Sequence, residues 1–456
     1  MAQEEQLISL LSSYPSLSFI DAFLASHPEA RLYLVGGAVR DTLIGRRMRE
    51  IDFDFVVTGL ASQGLEAWLR EQGEVNLVGQ HFGVFKFMPK GYASRNTEFV
   101  DIALPRTEAV TTGSLGGYKD FDIQSDPNLP IEDDLARRDF TINAMAWDVR
   151  EKKLIDPFDG QADLSRKMIR AVGSPPERFA EDLSRILRGI RFAAELDFVI
   201  EEKTGQAMKE LLPQLNSQKE VDGTFHYVVP RETLGGELAK ALSRNPHRAI
   251  KEFQNHHALR ELFPGVQTLV QDDSKYLEPL SSATPGELTI VLTLLLRDLS
   301  LEDVHKTLSS VGLDTLARGS SQRTEAELIA ALVRLWQEHL DTEGIRTMRA
   351  NEFEKRYFNG KGLLFLRCLE LLDSTDLRTA IQARRASIES RWLVDHDEPI
   401  APLLSGQDIL AKGIPAGPDV RIWLDRVRDL QLDGVLMRRE DALHWLSTEL
   451  KQKSPI

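Results

Sequence analysis

The sequence predicts an α+β protein, with a small mixed α/β head followed by a chain that is helical to its end. Three observations carry this. Between residues 31 and 104, short apolar runs of strand type alternate with short helical stretches. Beyond about residue 166, segment after segment repeats its apolar residues at three- and four-residue spacing. No run reaches the ~20 apolar residues that a membrane span needs.

The length of 456 residues suits two to four domains. The pattern divides them at 1–165, 166–270 and 271–456. A 42% hydrophobic and 28% charged composition is that of an ordinary globular protein with real cores. Cys368 stands alone, which rules out an internal disulfide and points to a reducing, cytoplasmic setting. The first residues, "MAQEEQLISLL", carry acids where a signal peptide has a basic region. A net charge of −14 argues against broad nucleic-acid binding. Charge acts locally, however. Arginines cluster at 46, 47 and 49, at 137 and 138, and at 185, 188 and 191, so phosphates could be held at one place.

Taken in order, residues 1–30 read as a short amphipathic helix. Then come a strand at "RLYLVGG", a helix at "VRDTLIG", a strand at "IDFDFVV" and a helix at "ASQGLEAWLREQG". Strands follow at "EVNLVG", "VFKFMP" and "EFVDIAL". Residues 106–131 lack any period and are rich in Gly, Ser, Asp and Pro. They read as one long flexible loop, a length that is usually functional or disordered. After "DPFDGQADLSRK" the reading is helical, with a polar linker or helix connection at 317–327.

The chemistry-bearing residues begin in the first two strands. Residues two apart in a strand share a face, so Asp52 and Asp54 point one way and Ile51, Phe53 and Phe55 the other. Two carboxylates about 7 Å apart repel unless a cation lies between them. Mg²⁺ favours such a pair together with substrate phosphate oxygens. A bare Asp-x-Asp is more often a solvated edge, but here it follows Gly36-Gly37 and a short helix bearing Arg40. Glycines let backbone N–H groups approach a phosphate, and a helix start favours the anion. Asp101, on a later strand, could complete a metal cage.

In "DLARRDFTINAMAWD", Arg137 and Arg138 supply fixed cations. Asp139 can accept from ribose hydroxyls, and Asn143 lies one helical turn on. "DPFDG" (156–160) reads as a structural turn. In "EDLSRILRGIRF", Asp182 and Arg185 are three apart and share a helix face. Asp only accepts and Arg only donates. Cytosine and adenine each present an amino donor beside a ring-nitrogen acceptor, whereas uracil and guanine present the reverse. The pair can therefore accept C and A and reject U and G. A plain intrahelical salt bridge is the competing reading.

"GGAVRDTLIG…DFDFVV", "RRDFTINAMA", "DPFDG" and "EDLSRILRGIRFAAELDF" resemble, in that order, the motifs of class II tRNA nucleotidyltransferases. These are the CCA-adding enzymes and bacterial poly(A) polymerases of the DNA polymerase β superfamily. The resemblance spans about residues 30–265 and implies a polymerase β-like head with a helical neck, body and tail. It implies that Asp52 and Asp54 hold the metal; Asp101, from the strand reading alone, is counted as a further catalytic acid, with a plain edge-strand acid as the competing reading. It places Gly36, Gly37 and Arg40 near the triphosphate. Arg137, Arg138, Asp139 and Asn143 fall in the motif that contacts ribose and phosphates. Asp182 and Arg185 fall in the base-selecting motif, Glu181 orients Arg185, and Arg188 counts among the nucleotide-binding residues. The 106–131 loop resembles the element that supports the switch from C to A addition.

The implied reaction adds CCA to a tRNA 3′ end from CTP and ATP with Mg²⁺. No membrane or protein partner is implied. Fourteen residues separate Gly37 from Asp52, about two more than the family pattern, which leaves Glu50 and Asp52 as an alternative metal pair. The apolar "FVV" that follows favours Asp52 and Asp54. The other readings are A-only or CC-only addition, poly(A) synthesis, a small-molecule nucleotidyltransferase and a non-catalytic tRNA-binding relative. His396-Asp397, the dipeptide of phosphohydrolase relatives, reads as a turn.

Overall fold

A computed structural model describes the chain except residues 1, 47–51, 79–83, 92–98, 111–120, 222, 272, 315–324, 340–341, 358–359, 373–374, 393–401 and 454–456. Glu50, Arg47, Arg49 and the His396-Asp397 pair lie outside the described residues. The chain forms two compact units. One is residues 1–268 with short returns at 284–286 and 307–315, and the other holds most of 269–456. The expected head and neck therefore fall within one unit.

That unit opens with two helices in place of the single expected one, α1 (Ala2–Ser13) and α2 (Phe19–Ser26), with a 3₁₀ turn at Pro15–Leu17 between them. Pro15 at the first helical position explains the break, since it has no N–H to continue α1. The central sheet holds β1 (Arg31–Val35), β2 (Asp54–Thr58), β3 (Gly73–Val78), β4 (Val84–Pro89) and β5 (Val100–Ala103). Helices α3 (Gly37–Leu43) and α4 (Ser62–Gln72) lie between its strands in sequence. A hairpin follows, β6 (Arg106–Val110) with β7 (Phe121–Ser125). Then come α5 (Ile131–Ala136) and two further sheet strands, β8 (Ala146–Asp148) and β9 (Lys153–Ile155). The sheet order is β3-β4-β5-β2-β1-β8-β9, antiparallel except where β2 meets β5.

β1 and β2 are central, and Leu32 to Val35 and Phe55 to Val57 are buried on both faces. This is why they read as continuous apolar runs. One face is covered by the N-terminal helices. Phe19 sits edge-on to Phe55 and Phe87, and Phe23 to Trp68. The other face packs Tyr33, Val35 and Val56 under Ile131 and Leu135 of α5. Asp54 is on that second face, two residues before Val56, and is only half-buried.

Two expectations need correction. Residues 106–131 are not one loop, because 106–110 and 121–125 pair as strands and 131–136 is helical. Only residues 111–120 of the segment, with Gly113, Gly116 and Gly117, fall outside the described residues. Thr, Val, Phe and Ile supply strand propensity there, but too few alternating residues reveal it in the sequence. Nor is the rest of the unit wholly helical. Helices α6 (Gly160–Ser165), α7 (Pro175–Glu181), α8 (Ser184–Leu196) and α9 (Glu202–Leu211) are joined by a two-residue parallel ladder, β10 (Met168–Ile169) with β11 (Val199–Ile200). A hairpin, β12 (Gln218–Val221) and β13 (Thr224–Tyr227), precedes α10 (Arg231–Arg244), α11 (Pro246–Asn255) and α12 (Ala258–Leu262).

"DPFDG" is the structural turn it was expected to be. The Asp156 carboxylate accepts the backbone N–H groups of Gly160 and Gln161 at 2.7 and 2.9 Å. Gly160 is needed for space, since a Cβ there would lie 2.4 Å from the Thr141 carbonyl oxygen. Gly160→Ala should lower unfolding free energy by about 1–3 kcal/mol, read as a shifted denaturant midpoint at unchanged slope.

The second unit is helical throughout its described residues. Helix Leu288–Leu296 is buried along almost its whole length. Leu332, Phe353, Phe365, Leu369 and Ile381 form one core. Leu404, Trp423, Val427 and Leu446 form another. Of the polar stretch expected to be a linker, the last three residues already belong to helix Glu325–His339. Cys368 is fully buried, and that burial pushes its thiol up to about 12, so it is an inert core residue. Among the described residues no single helix is long and apolar enough to cross a membrane.

Candidate active site

The second sheet face ends in a row of charges. Lys86, Asp101 and Asp54 are cross-strand partners on β4, β5 and β2, so their side chains share one face. Asp52 precedes the strand and is exposed. Burial raises the Asp54 pKa to about 6. The Arg138 charge opposes this, while Asp101 and Asp52 add to it.

Gly36 is the opposite wall. Its φ of +73° is a conformation glycine adopts without strain. A Cβ there would lie 3.3 Å from Arg138 Nη1 and 3.4 Å from Asp54 Oδ2. Only a residue without a side chain lets the backbone come this close to both groups. Gly37 opens α3.

The arginine pair is anchored from below. Asp134, at the base of α5, is wholly buried. Its carboxylate receives Arg137 (Nη2 at 2.6 Å) on one oxygen and Arg138 (Nη2 at 3.1 Å) on the other. Burial alone would raise the Asp134 pKa, but the two guanidinium charges outweigh it and hold the carboxyl below its usual range. Sequence reading passed over Asp134. Its only signal was an acid three and four residues before two arginines.

Asp139 and Asn143 are arranged otherwise than expected. There is no helix from one to the other, only a 3₁₀ turn at Thr141–Asn143. Asp139 Oδ1 accepts from Phe140 N–H (2.8 Å) and Asn143 Nδ2 (3.1 Å), and Oδ2 from Arg188 Nε (2.8 Å). Burial opposes its ionisation, but Arg188 and these hydrogen bonds prevail and bring its pKa to about 2. Both oxygens of the buried carboxylate thus have partners within the protein. Arg40 is also turned inward. It forks onto Asp41 at 2.8 and 2.9 Å and donates to Asn143 Oδ1 at 2.8 Å. Arg40, Asn143, Asp139 and Arg188 form one chain that ties α3 to α8, with both arginines over the Phe192 ring.

The residues expected to select the base come together, though not on one helix. Asp182 has extended backbone in the break between α7 and α8, and its Oδ1 accepts the Ser184 N–H at 2.9 Å. Its Oδ2 lies 4.0 Å from Arg185 Nε. Glu181 Oε2 receives Arg185 Nη1 at 2.8 Å and Arg178 Nη1 at 2.6 Å. Arg178, not foreseen, also donates to the Ala136 and Val172 carbonyls at 2.8 and 3.3 Å. It joins this motif to the segment that carries Arg137 and Arg138.

Lys86 was also missed. Its Nζ lies 3.0 and 3.2 Å from the two oxygens of Asp101. The signal was present, because Lys86 alternates with buried Phe85 and Phe87 and so must share the acids' face.

The donor set suits a divalent cation. Asp52 and Asp54 are hard oxygen donors at the open end of the face, and burial, the main cause of the raised Asp54 pKa, disfavours its ionised form unless a cation compensates. Among the described residues no three carboxylate, His or Cys groups are placed to share an ion, so the fit is to two acids with the remaining ligands supplied from outside.

The site is thus a glycine-walled acidic edge on a mixed sheet, with arginines behind it. Residues 32–170 match the Poly A polymerase head domain. The chain is 37% identical to the Multifunctional CCA protein of Stenotrophomonas maltophilia over 243 residues, which cover 52% of each chain. The chain spans about half the length of the curated relatives it matches. Over nearly its full length its fold is that of CCA-adding enzymes. It matches the Thermotoga maritima CCA-adding enzyme complexed with tRNA at a TM-score of 0.66 and 22% identity, covering 97% of this chain and 98% of the other. It matches a CCA-adding enzyme in complex with CTP at 0.67 and 23%, covering 97% and 98%. The family expected from the motifs is the one these comparisons return.

Proposed function

We propose that the chain is a template-independent tRNA nucleotidyltransferase that adds C, C and A to the tRNA 3′ end from CTP and ATP. The observation that carries this is the placement of Asp54 and Arg138 beside Gly36, where an added Cβ would lie 3.4 and 3.3 Å from them, which joins a glycine turn to an acidic edge and a cation. In the reaction the terminal 3′-oxygen attacks the α-phosphorus, the bond to the β-phosphate oxygen breaks, and pyrophosphate leaves. Asp52 and Asp54 would hold Mg²⁺. The chemistry that Mg²⁺ supplies when bound is activation of the 3′-hydroxyl and neutralisation of charge on the triphosphate. Arg137 and Arg138, fixed by Asp134, present positive charge toward the phosphates and need no reorganisation. Asp182 and Arg185 read the base edge, with Glu181 and Arg178 fixing the Arg185 guanidinium. This reading carries with it a cytoplasmic location for the enzyme.

The test incubates tRNAs lacking one, two or all three terminal nucleotides with each nucleoside triphosphate and Mg²⁺. It measures pyrophosphate release and product length. Ordered addition of C, C and A supports the reading. Extension by A alone, by C alone or by a long A tract assigns one of the narrower activities, and no pyrophosphate at all points to a binding protein.

The segment between β6 and β7 supports the full reaction over CC-only addition, by resemblance to the switching loop of these enzymes. Replacing residues 111–120 with a two-residue turn should keep the β6–β7 ladder. Both C additions should persist, while A addition falls at least about tenfold on a sequencing gel. Equal loss of C and A addition would remove the switching role.

A further inference from the structure

On the reading that Asp52 and Asp54 hold a divalent cation, we propose that Lys86 withholds Asp101 from it. The resting site then binds the ion weakly through two carboxylates, and the ion is held firmly only when a triphosphate supplies further oxygens.

The geometry is that of an occupied ligand. Both Asp101 oxygens lie within hydrogen-bond distance of the single Lys86 ammonium, at 3.0 and 3.2 Å. Asp101 is in direct register with Asp54 on one side and with Lys86 on the other. As the side chains stand, no three such groups among the described residues are placed to share an ion. Released from Lys86, Asp101 would be free to turn toward its register partner Asp54 and serve as a third ligand. Phe85 and Phe87 on either side of Lys86 are fully buried and fix the lysine on the acids' face of β4.

Stability does not explain the pair. The side chains are 42% and 33% exposed, and an ion pair so open to water contributes little to folding. What it does change is local charge. Lys86 beyond Asp101 and Arg138 beside Asp54 flank the acids with two fixed cations, and each weakens the attraction for a metal. An ammonium is a compact point charge with rotatable donors, able to hold both oxygens without a fixed fork.

The experiment measures Mn²⁺ binding to the full chain without nucleotide or RNA, by the electron paramagnetic resonance of free Mn²⁺. Lys86→Met should bind Mn²⁺ about tenfold more tightly than the parent, because a third carboxylate is released and a cation removed. The charge-neutral double variant Lys86→Met with Asp101→Asn should return to within about fivefold of the parent. Removing the pair together would then take away no ligand. Unchanged or weaker binding by Lys86→Met overturns the proposal. So does a double variant more than about fivefold weaker than the parent, since Asp101 would then be a ligand despite Lys86. If Lys86→Met does not fold, Lys86→Gln replaces it, with tightening expected in the same direction. The functional reading fails separately, through absence of pyrophosphate release by the parent. The metal reading fails if Asp54→Ala binds Mn²⁺ as the parent does.

Discussion

Asp54→Ala and Asp52→Ala should each lower turnover by at least about a hundredfold, about 2.7 kcal/mol in activation free energy, with the fold intact. Both acids lie at the open end of the sheet face, so neither substitution removes core volume. Asp54 carries the more specific claim. It lies beside Gly36, pairs in register with Asp101 and feels the Arg138 charge. Stability should move the other way from activity. Asp54 is raised from 3.8 to about 6 in the folded protein, first by burial. Its ionised form is therefore disfavoured by folding. Above about pH 6 the parent bears that penalty in full, and below about pH 4 the carboxyl is protonated in both states and the penalty is gone. In chelator, Asp54→Ala should melt at or above the parent temperature at pH 7.5, and the difference should vanish at acid pH. Glu50→Ala is the control for the metal pair. If it abolishes turnover while Asp54→Ala retains it, the metal pair is Glu50 and Asp52.

Asp182→Ala should lower the preference for CTP over UTP by about ten- to a hundredfold, the range of one bidentate base contact. The acceptor facing the amino group of C and A is lost, and so is the acceptor that opposes the carbonyls of U and G. Because Asp182 Oδ1 also accepts the Ser184 N–H at the entry of α8, this variant should lose about 1 kcal/mol of stability as well. Asp182→Asn separates the two effects. Its amide oxygen can keep the Ser184 bond, while its NH₂ can donate to U or G. Selectivity should fall with little change in melting temperature. Arg185→Ala should weaken CTP and ATP use alike, and the double variant should lose less than the sum of the singles, because both residues act on one base edge. The measurement is kcat/KM for all four nucleotides on a tRNA awaiting its first C. A CTP preference over UTP as strong as the parent's would reduce the Asp182–Arg185 pair to a structural contact.

Much of the head could be read from local pattern. Alternation put Asp54 opposite Phe53 and Phe55, and those phenylalanines are buried as expected. Gly36 before a short helix marked the close approach that the structure shows. Such features are legible because side-chain direction in a strand, and glycine's freedom in a turn, are decided by the backbone within a few residues. The same limit explains the errors. Asp182 and Arg185 have helical spacing, but the chain breaks between α7 and α8, and Asp182 sits in the break.

The sequence by itself determined the class of fold, the acidic edge with its neighbouring glycine, and which acids and arginines lie near that edge in the chain. Tertiary structure alone decided which of those charges remain open to a substrate. Arg40 reaches Asn143 across 103 residues, Asp139 reaches Arg188 across 49, and Lys86 reaches Asp101 across 15. A carboxylate or guanidinium is directed by whichever partner the fold brings within about 3 Å of it. No periodicity in one chain names a partner that far away.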